Sequence, residues 1–228
     1  MKPVAIFDVD GTIFRSSMVI ELMEALIEKG IFPPDVAKEY ESEYRMWFER
    51  EGGYEEYINA VVKSFMKNIK GVHYGTFSDI SKEVVGEQQK RVYRYTRDLI
   101  PQLKKEGYYL LAISQSPKTV VDAFCKGLGF DKVYGRIYEI GPQDLFTGVV
   151  VDEHLIMNKA TIVRRAVEKE GLTLDGSVGV GDTEGDMSFL ELVERAICFN
   201  PNKNLYTHAR RMGWKVVVER KDVIYAVS

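Results

Sequence analysis

Cysteine is nearly missing from this chain: Cys125 and Cys198 are its two, far apart in sequence. Two lone cysteines make neither a disulfide framework nor a zinc-binding spacing, which points to a reducing cytoplasm. His73, His154 and His208 are equally sparse and show no metal-ligand spacing. No apolar run approaches the ~18 residues of a membrane span, and the N-terminal run is cut short by Asp8 without a signal-peptide cleavage pattern. There is no basic block, and the formal net charge is −3. A nucleic-acid-binding surface is therefore not expected as the main function, because such proteins gather Lys and Arg on one face. Linkers rich in Gly, Ser or Pro, internal repeats and low-complexity tracts are missing as well.

What is present is a composition of 45% hydrophobic and 29% charged residues over 228 positions. That suffices for one large domain, or for a core domain with an insertion. The organising stretch is Val4-Ala5-Ile6-Phe7-Asp8-Val9-Asp10-Gly11-Thr12. It reads as a buried strand that delivers two carboxylates and a glycine turn to one mouth. Gly11 permits a tight backbone, and Thr12 can bond locally. Two acids at the end of a buried strand repel each other and call for a cation between them; oxygen ligands of this kind suit magnesium.

Downstream, helical spacing dominates up to Gly107. Ser16 or Ser17 can cap a first helix through Ile27, Pro33-Pro34-Asp35 opens a second, Tyr54 to Ile69 forms a third, and Ser78 caps a fourth toward Tyr95. From Thr96 helix and strand alternate. Expected strands are Tyr108–Ser114, Val133–Tyr134, Ser177–Gly181, Ala196–Phe199 and Lys215–Val218, with a hairpin pairing Tyr138–Ile140 and Val149–Val151. Ser116-Pro117 is expected to open the helix after Ser114, and Asn158 the helix that carries Lys159. This alternation implies an α/β fold with a doubly wound parallel sheet. Residues 1–14 and 96–228 would form the core, and 15–95 an inserted helical cap. In such sheets ligands bind at the carboxyl ends of the strands, where Asp8, Ser114 and Asp182 stand.

Each of the four pieces has an ordinary reading: an Asp after a strand caps a turn, a Ser caps a helix, a Lys in a first turn is solvated. Together, and in this order, they resemble the haloacid dehalogenase superfamily. Asp8-Val9-Asp10-Gly11-Thr12 matches its first motif, Ser114 its second, Lys159 its third, and the acidic pair Asp182 and Asp186 its fourth. The helical insert, Gly148-Val149 and the Asn200-Pro201 turn are similar to the phosphoserine-phosphatase-like branch. The resemblance implies a magnesium-dependent phosphatase acting on a small phosphorylated metabolite through an aspartyl-phosphate. Asp8 would be the nucleophile, Asp10 the general acid and base, and Lys159 the charge-neutralising cation. Asp8, Asp182 and the backbone carbonyl of Asp10 would ligate Mg2+, with Asp186 behind them. Ser114, Gly11, Thr12, Gln115 and Arg15 would hold phosphate or substrate, with the backbone N–H groups of Val9, Asp10, Gly11 and Gln115 around the phosphate oxygens. The rivals are a phosphotransferase using the same residues, a phospho-accepting receiver module, and a haloacid dehalogenase.

Two positions depart from the branch. Phosphoserine phosphatases carry Glu nine residues after the nucleophile, where this chain has Ser17, and tend to have Gly where Gln115 stands. Phosphoserine is therefore not the expected substrate. Substrate choice would lie in the cap, with Arg15, Arg45, Arg50, Tyr44, Trp47 and Phe48 as candidates. The aromatic positions at helical spacing, Tyr40, Tyr44, Trp47 and Phe48, read more simply as cap core.

Overall fold

The computed structural model describes residues 1–227. Strand β1 (Lys2–Asp8) is the centre of the sheet. Its alternation splits the core in two: Val4 and Ile6 face one side, Ala5 and Phe7 the other, all four fully buried. A strand buried on both faces reads as a continuous apolar run, which is why this segment was legible.

Beside β1 lie β2 (Tyr109–Pro117) and β5 (Leu172–Gly181), both parallel to it. The sheet continues through β3 (Lys132–Ile140) to β4 (Phe146–Val151) on one side. On the other it runs through β6 (Arg195–Phe199) and β7 (Lys215–Arg220) to β8 (Val223–Val227). Six strands are parallel; β4 and β8 close the two edges antiparallel. The expected hairpin forms, but Val133–Tyr134 and Tyr138–Ile140 are one strand, β3, and its partner β4 begins at Phe146 instead of Val149. The β7–β8 hairpin was not anticipated. Its two-residue turn is Lys221-Asp222, with Lys221 at φ 54°, and no glycine signals it.

Strand register decides what converges. Asp8 lies opposite Ile113, and Phe7 opposite Val180. Ser114 and Asp182 therefore fall within two residues of Asp8's level on its two neighbours. The strand order reverses at β1, with β2 to β4 on one side and β5 to β8 on the other, the usual position of a ligand crevice in such folds. Strand β2 does not end at Ser114 as expected; it runs to Pro117, with a register break after Ile113 that turns Ser114 into the crevice.

Between β1 and β2 come α1 (Met18–Glu28), a 3-10 turn at Pro34–Glu39, α2 (Glu41–Phe48), α3 (Tyr54–Asn68), α4 (Tyr74–Gln88) and α5 (Arg94–Lys105). No strand lies in this stretch among the described residues. The expected second helix is broken at Tyr40, whose φ of −129° is not helical. The fourth begins earlier than Ser78: the His73 imidazole accepts the Gly75 N–H at 3.1 Å and takes the capping role. Ser116 does not cap a helix. Its hydroxyl accepts the Val19 N–H at 3.2 Å and ties α1 to β2, and α6 (Lys118–Gly127) starts after Pro117. The apolar faces of α1, α3, α4 and α6 share one core with Ala5 and Phe7. Following α7 (Glu153–Ile156), α8 (Lys159–Glu170), α9 (Met187–Leu190) and α10 (Lys203–Met212) cover the Val4–Ile6 side.

Candidate active site

Lys159 is the first residue of α8, held there by Asn158, whose side chain accepts the Thr161 N–H at 3.0 Å. The cap turns Lys159 inward. Its buried ammonium donates to Asp8 Oδ1 at 2.5 Å and to Asp186 Oδ1 at 2.6 Å. The other Asp186 oxygen accepts the N–H groups of Asp182 at 2.9 Å and Thr183 at 3.1 Å. Asp186 is thus fully engaged: it fixes the loop after β5 and aims Lys159 at Asp8. Thr12 donates its hydroxyl to Asp182 Oδ1 at 3.0 Å. Gly11, at φ 80°, lets that carboxylate approach: a Cβ there would lie 2.2 Å from Asp182 Oδ2. The Gly11 N–H is already donated to the carbonyls of Phe14 and Ser16. Close approach to Asp182 is therefore the part of Gly11 in the site that is visible here.

Asp10 stands on the other side. Its carboxylate accepts the Met18 N–H at 2.5 Å and the Ser114 hydroxyl at 2.6 Å. Ser114 in turn accepts the Ser116 N–H at 2.9 Å. Asp10 thereby satisfies the start of α1, where Ser17 makes no side-chain cap of its own. Gln115 is half-buried beside Ser114. Arg15 is exposed at the mouth, with its guanidinium 5.9 Å from the Tyr93 ring centre.

Charge is poorly balanced. Asp8, Asp182 and Asp186 each offer an oxygen within 4.8 Å of the others, against the single ammonium of Lys159. Burial pushes Asp8 up to about 7 although Lys159 pulls it down, and Asp186 and Asp10 add to the rise. Asp182 is driven well above the usual carboxylate range by burial, then by Asp8 and Asp186. Burial opposes the charge on Lys159, but Asp186 and Asp8 outweigh it and hold the ammonium protonated. Asp8 Oδ2 is buried and has no hydrogen-bond partner. An orphaned carboxylate oxygen in an all-oxygen set fits a hard divalent cation such as Mg2+.

A testable consequence follows from the raised acids. The folded chain holds a proton on Asp8 that the unfolded chain releases near pH 4, so metal-free stability falls as pH rises from about 4 through 7. A cation at the site cancels that loss. The melting-temperature gain from excess Mg2+ over chelator is expected to be larger at pH 7.5 than at pH 5.5, by several degrees. A gain independent of pH would remove these carboxylates as the cation's ligands.

The profile of the haloacid dehalogenase-like hydrolase family matches residues 5–191, a span from β1 to the end of α9 that takes in all four motifs. The chain belongs to that family. Among relatives of this family member, a histidinol-phosphatase of Neisseria meningitidis is 25% identical and aligns with 95% of this chain and 99% of its own. A phosphoserine phosphatase of Methanocaldococcus jannaschii is 27% identical over 76% of this chain and 84% of its own. Solved structures share the fold. A Bordetella pertussis protein of unknown function superposes with a TM-score of 0.75 at 17% identity, covering 95% of this chain and 98% of its own. The phospho-aspartyl intermediate analogue of phosphoserine phosphatase gives 0.61 at 22% identity, covering 97% and 95%. The architecture is that of the phosphoserine-phosphatase-like branch, and the chain is an enzyme of the hydrolase class.

Two residues near the site were not anticipated. Tyr54, the first residue of α3, feels both Asp10 and Asp182: burial first, then these carboxylates, keep its phenol protonated. Tyr93 is likewise raised by burial and by Asp182. Neither carries a motif, and only the packing of the helical insert over the strand ends brings them there. The core reading of the cap aromatics is also corrected. Tyr44, Trp47 and Phe48 are 40%, 37% and 69% exposed, and α2 buries no residue.

Proposed function

We propose that this protein is a divalent-cation-dependent phosphatase that hydrolyses a small phosphorylated metabolite through a phosphoenzyme on Asp8. The observation that carries this reading is Lys159 bonded at once to Asp8 and Asp186, while the other Asp8 oxygen is left buried and unpartnered. A carboxylate attacks an anionic phosphoryl group only where charge is neutralised. Lys159 supplies one positive charge, and its second partner, Asp186, keeps it in place. Asp8, Asp182 and the Asp10 carbonyl would hold the cation, which when bound adds the remaining positive charge and orients the phosphoryl oxygens.

A carboxylate oxygen of Asp8 attacks phosphorus; the bond to the leaving oxygen breaks, and Asp10 gives that leaving oxygen a proton. Asp10 then takes a proton from water, whose oxygen attacks the phosphoryl phosphorus and frees Asp8. Ser114 holds Asp10 at 2.6 Å. Thr12 keeps Asp182 in place. Hydrolase membership and the phosphatases among the relatives support this chemistry.

The deciding experiment is phosphate release from a panel of phosphate monoesters, with Mg2+ and with chelator, and with added alcohols to detect transfer. Release that requires Mg2+ is expected; a phosphoenzyme that forms and never turns over would overturn the hydrolytic reading. Ser114→Ala removes the hydroxyl that holds the Asp10 carboxylate, so kcat should fall about 100- to 1,000-fold with the melting temperature little changed. A kcat within about threefold of wild type would leave Ser114 as a packing residue.

A further inference from the structure

Away from the acidic cluster, one half of β3 is covered on a single side. Strand β4 pairs with it only from Ile137 onward, opposite Val151, so residues 132–136 have β2 on one side and no strand on the other among the described residues. Along this open edge lies a cavity of about 300 Å3, bounded by β3, α7 and α8 and reached from α6 by Lys118. Its apolar surface comes from Tyr134, Ile137, Val151, Leu155, Ile156 and Ile162. None of the residues around it belongs to the cluster of Asp8, Asp182 and Asp186.

The charges around the cavity are one-sided. Lys118, Lys132, Arg165 and Lys169 line it against one acid, Asp152, in a chain whose formal net charge is −3. Two of the four have other partners: Lys118 donates to both oxygens of Asp122 at 2.6 Å, and Lys132 lies 3.7 Å from Glu170. Lysines at a bare strand edge also keep it from pairing with another chain. That account does not reach Arg165 and Lys169, which are on α8 and have no ion-pair partner among the described residues. They are four residues apart, and Thr161, four residues earlier, lines the same cavity, so the three mark one face of the helix. Like charges at that spacing repel. Lys169, in the last turn, offsets the helix dipole; Arg165 does not reach that turn. Small-molecule sites have this make-up, an apolar lining with a few convergent polar groups, and run from about 300 Å3 upward. A neutral occupant would leave the two cations unrelieved, and a positive one would add to their repulsion. An organic anion answers both the apolar lining and the charge.

We propose that this cavity is a second binding site, for a small organic anion with an apolar ring or branched body and one negatively charged group. Arg165 and Lys169 hold the charge, and Tyr134, Leu155 and Ile162 hold the body. The site stands apart from the phosphatase reading and does not depend on it.

The test is a fluorescence titration of the whole protein with 8-anilinonaphthalene-1-sulfonate and with N-phenyl-1-naphthylamine, which has the same rings and no sulfonate. The sulfonate is expected to saturate at one site per chain and to bind about tenfold tighter than the neutral probe, the size of effect two exposed cations can supply together. The double variant Arg165→Gln, Lys169→Gln should bring that ratio below about threefold while the neutral probe binds as before. Thr161→Trp, which fills the cavity from α8, should weaken both probes. Arg165 and Lys169 are exposed and Thr161 is half-buried, so each variant is expected to keep the wild-type melting temperature within a few degrees. The ratio is taken within each variant, so a partial loss of folded protein cancels. Sulfonate binding that never saturates, a neutral probe that binds as tightly, a preference that survives the double variant, or binding indifferent to Thr161→Trp overturns the inference.

Discussion

Asp8→Asn is expected to abolish phosphate release, by at least about 10,000-fold, while leaving the chain folded. The amide has the shape of the carboxylate but no anionic oxygen to attack phosphorus. Lys159 keeps its second partner, Asp186 Oδ1 at 2.6 Å, so the ammonium is not stranded. Burial already disfavours the charge on Asp8 and raises it to about 7. Removing that charge should cost little at neutral pH, and the metal-free melting temperature should hold or rise. The measurements are single-turnover phosphate release and a thermal melt on the same preparation. Near-wild-type release from a folded Asp8→Asn protein would eliminate Asp8 as the nucleophile and with it the phosphoenzyme.

Lys159→Ala should fail in two ways at once. Catalytically, the attacking and transferred groups lose the one protein cation that neutralises them, and a loss beyond about 1,000-fold is expected. Structurally, two buried carboxylates lose their shared partner. Breaking a buried pair from one side costs about 3–5 kcal/mol, because the charge left behind is uncompensated. For a chain of this length that corresponds to a melting-temperature drop of about 6–20 °C. The two effects separate by titrating Mg2+. A cation at Asp8 and Asp182 restores part of the charge balance, so stability should partly recover while activity does not. A stable Lys159→Ala protein with unchanged melting would mean that the ammonium does not carry the charge balance of the cluster. Asp8→Asn and Lys159→Ala therefore differ in sign on metal-free stability although both remove activity.

The convergence of the site residues was legible in part because they lie in short segments. Asp8 and Asp10 lie two apart on a strand that is apolar on both faces, and Asn158-Lys159 opens a helix with a capping residue and a cation in its first turn. Local rules of capping and alternation place these groups before any tertiary contact forms. The edges were less legible. The β7–β8 hairpin turns through Lys221-Asp222, charged residues that give no glycine signal, and α4 starts at a His73 cap that imitates the usual Ser or Asp.

What only the tertiary structure decided is which distant groups share a charge. Parallel register on both sides of β1 sets Asp182 and Ser114 near the level of Asp8, and the fold gathers three carboxylates around the single ammonium of Lys159. The insert shows the same division. Helical spacing of Tyr44, Trp47 and Phe48 is identical for a buried stripe and an open one, since periodicity reports that side chains share a face and not what that face meets. Only the tertiary packing shows that α2 leaves this face open, with Tyr44, Trp47 and Phe48 exposed.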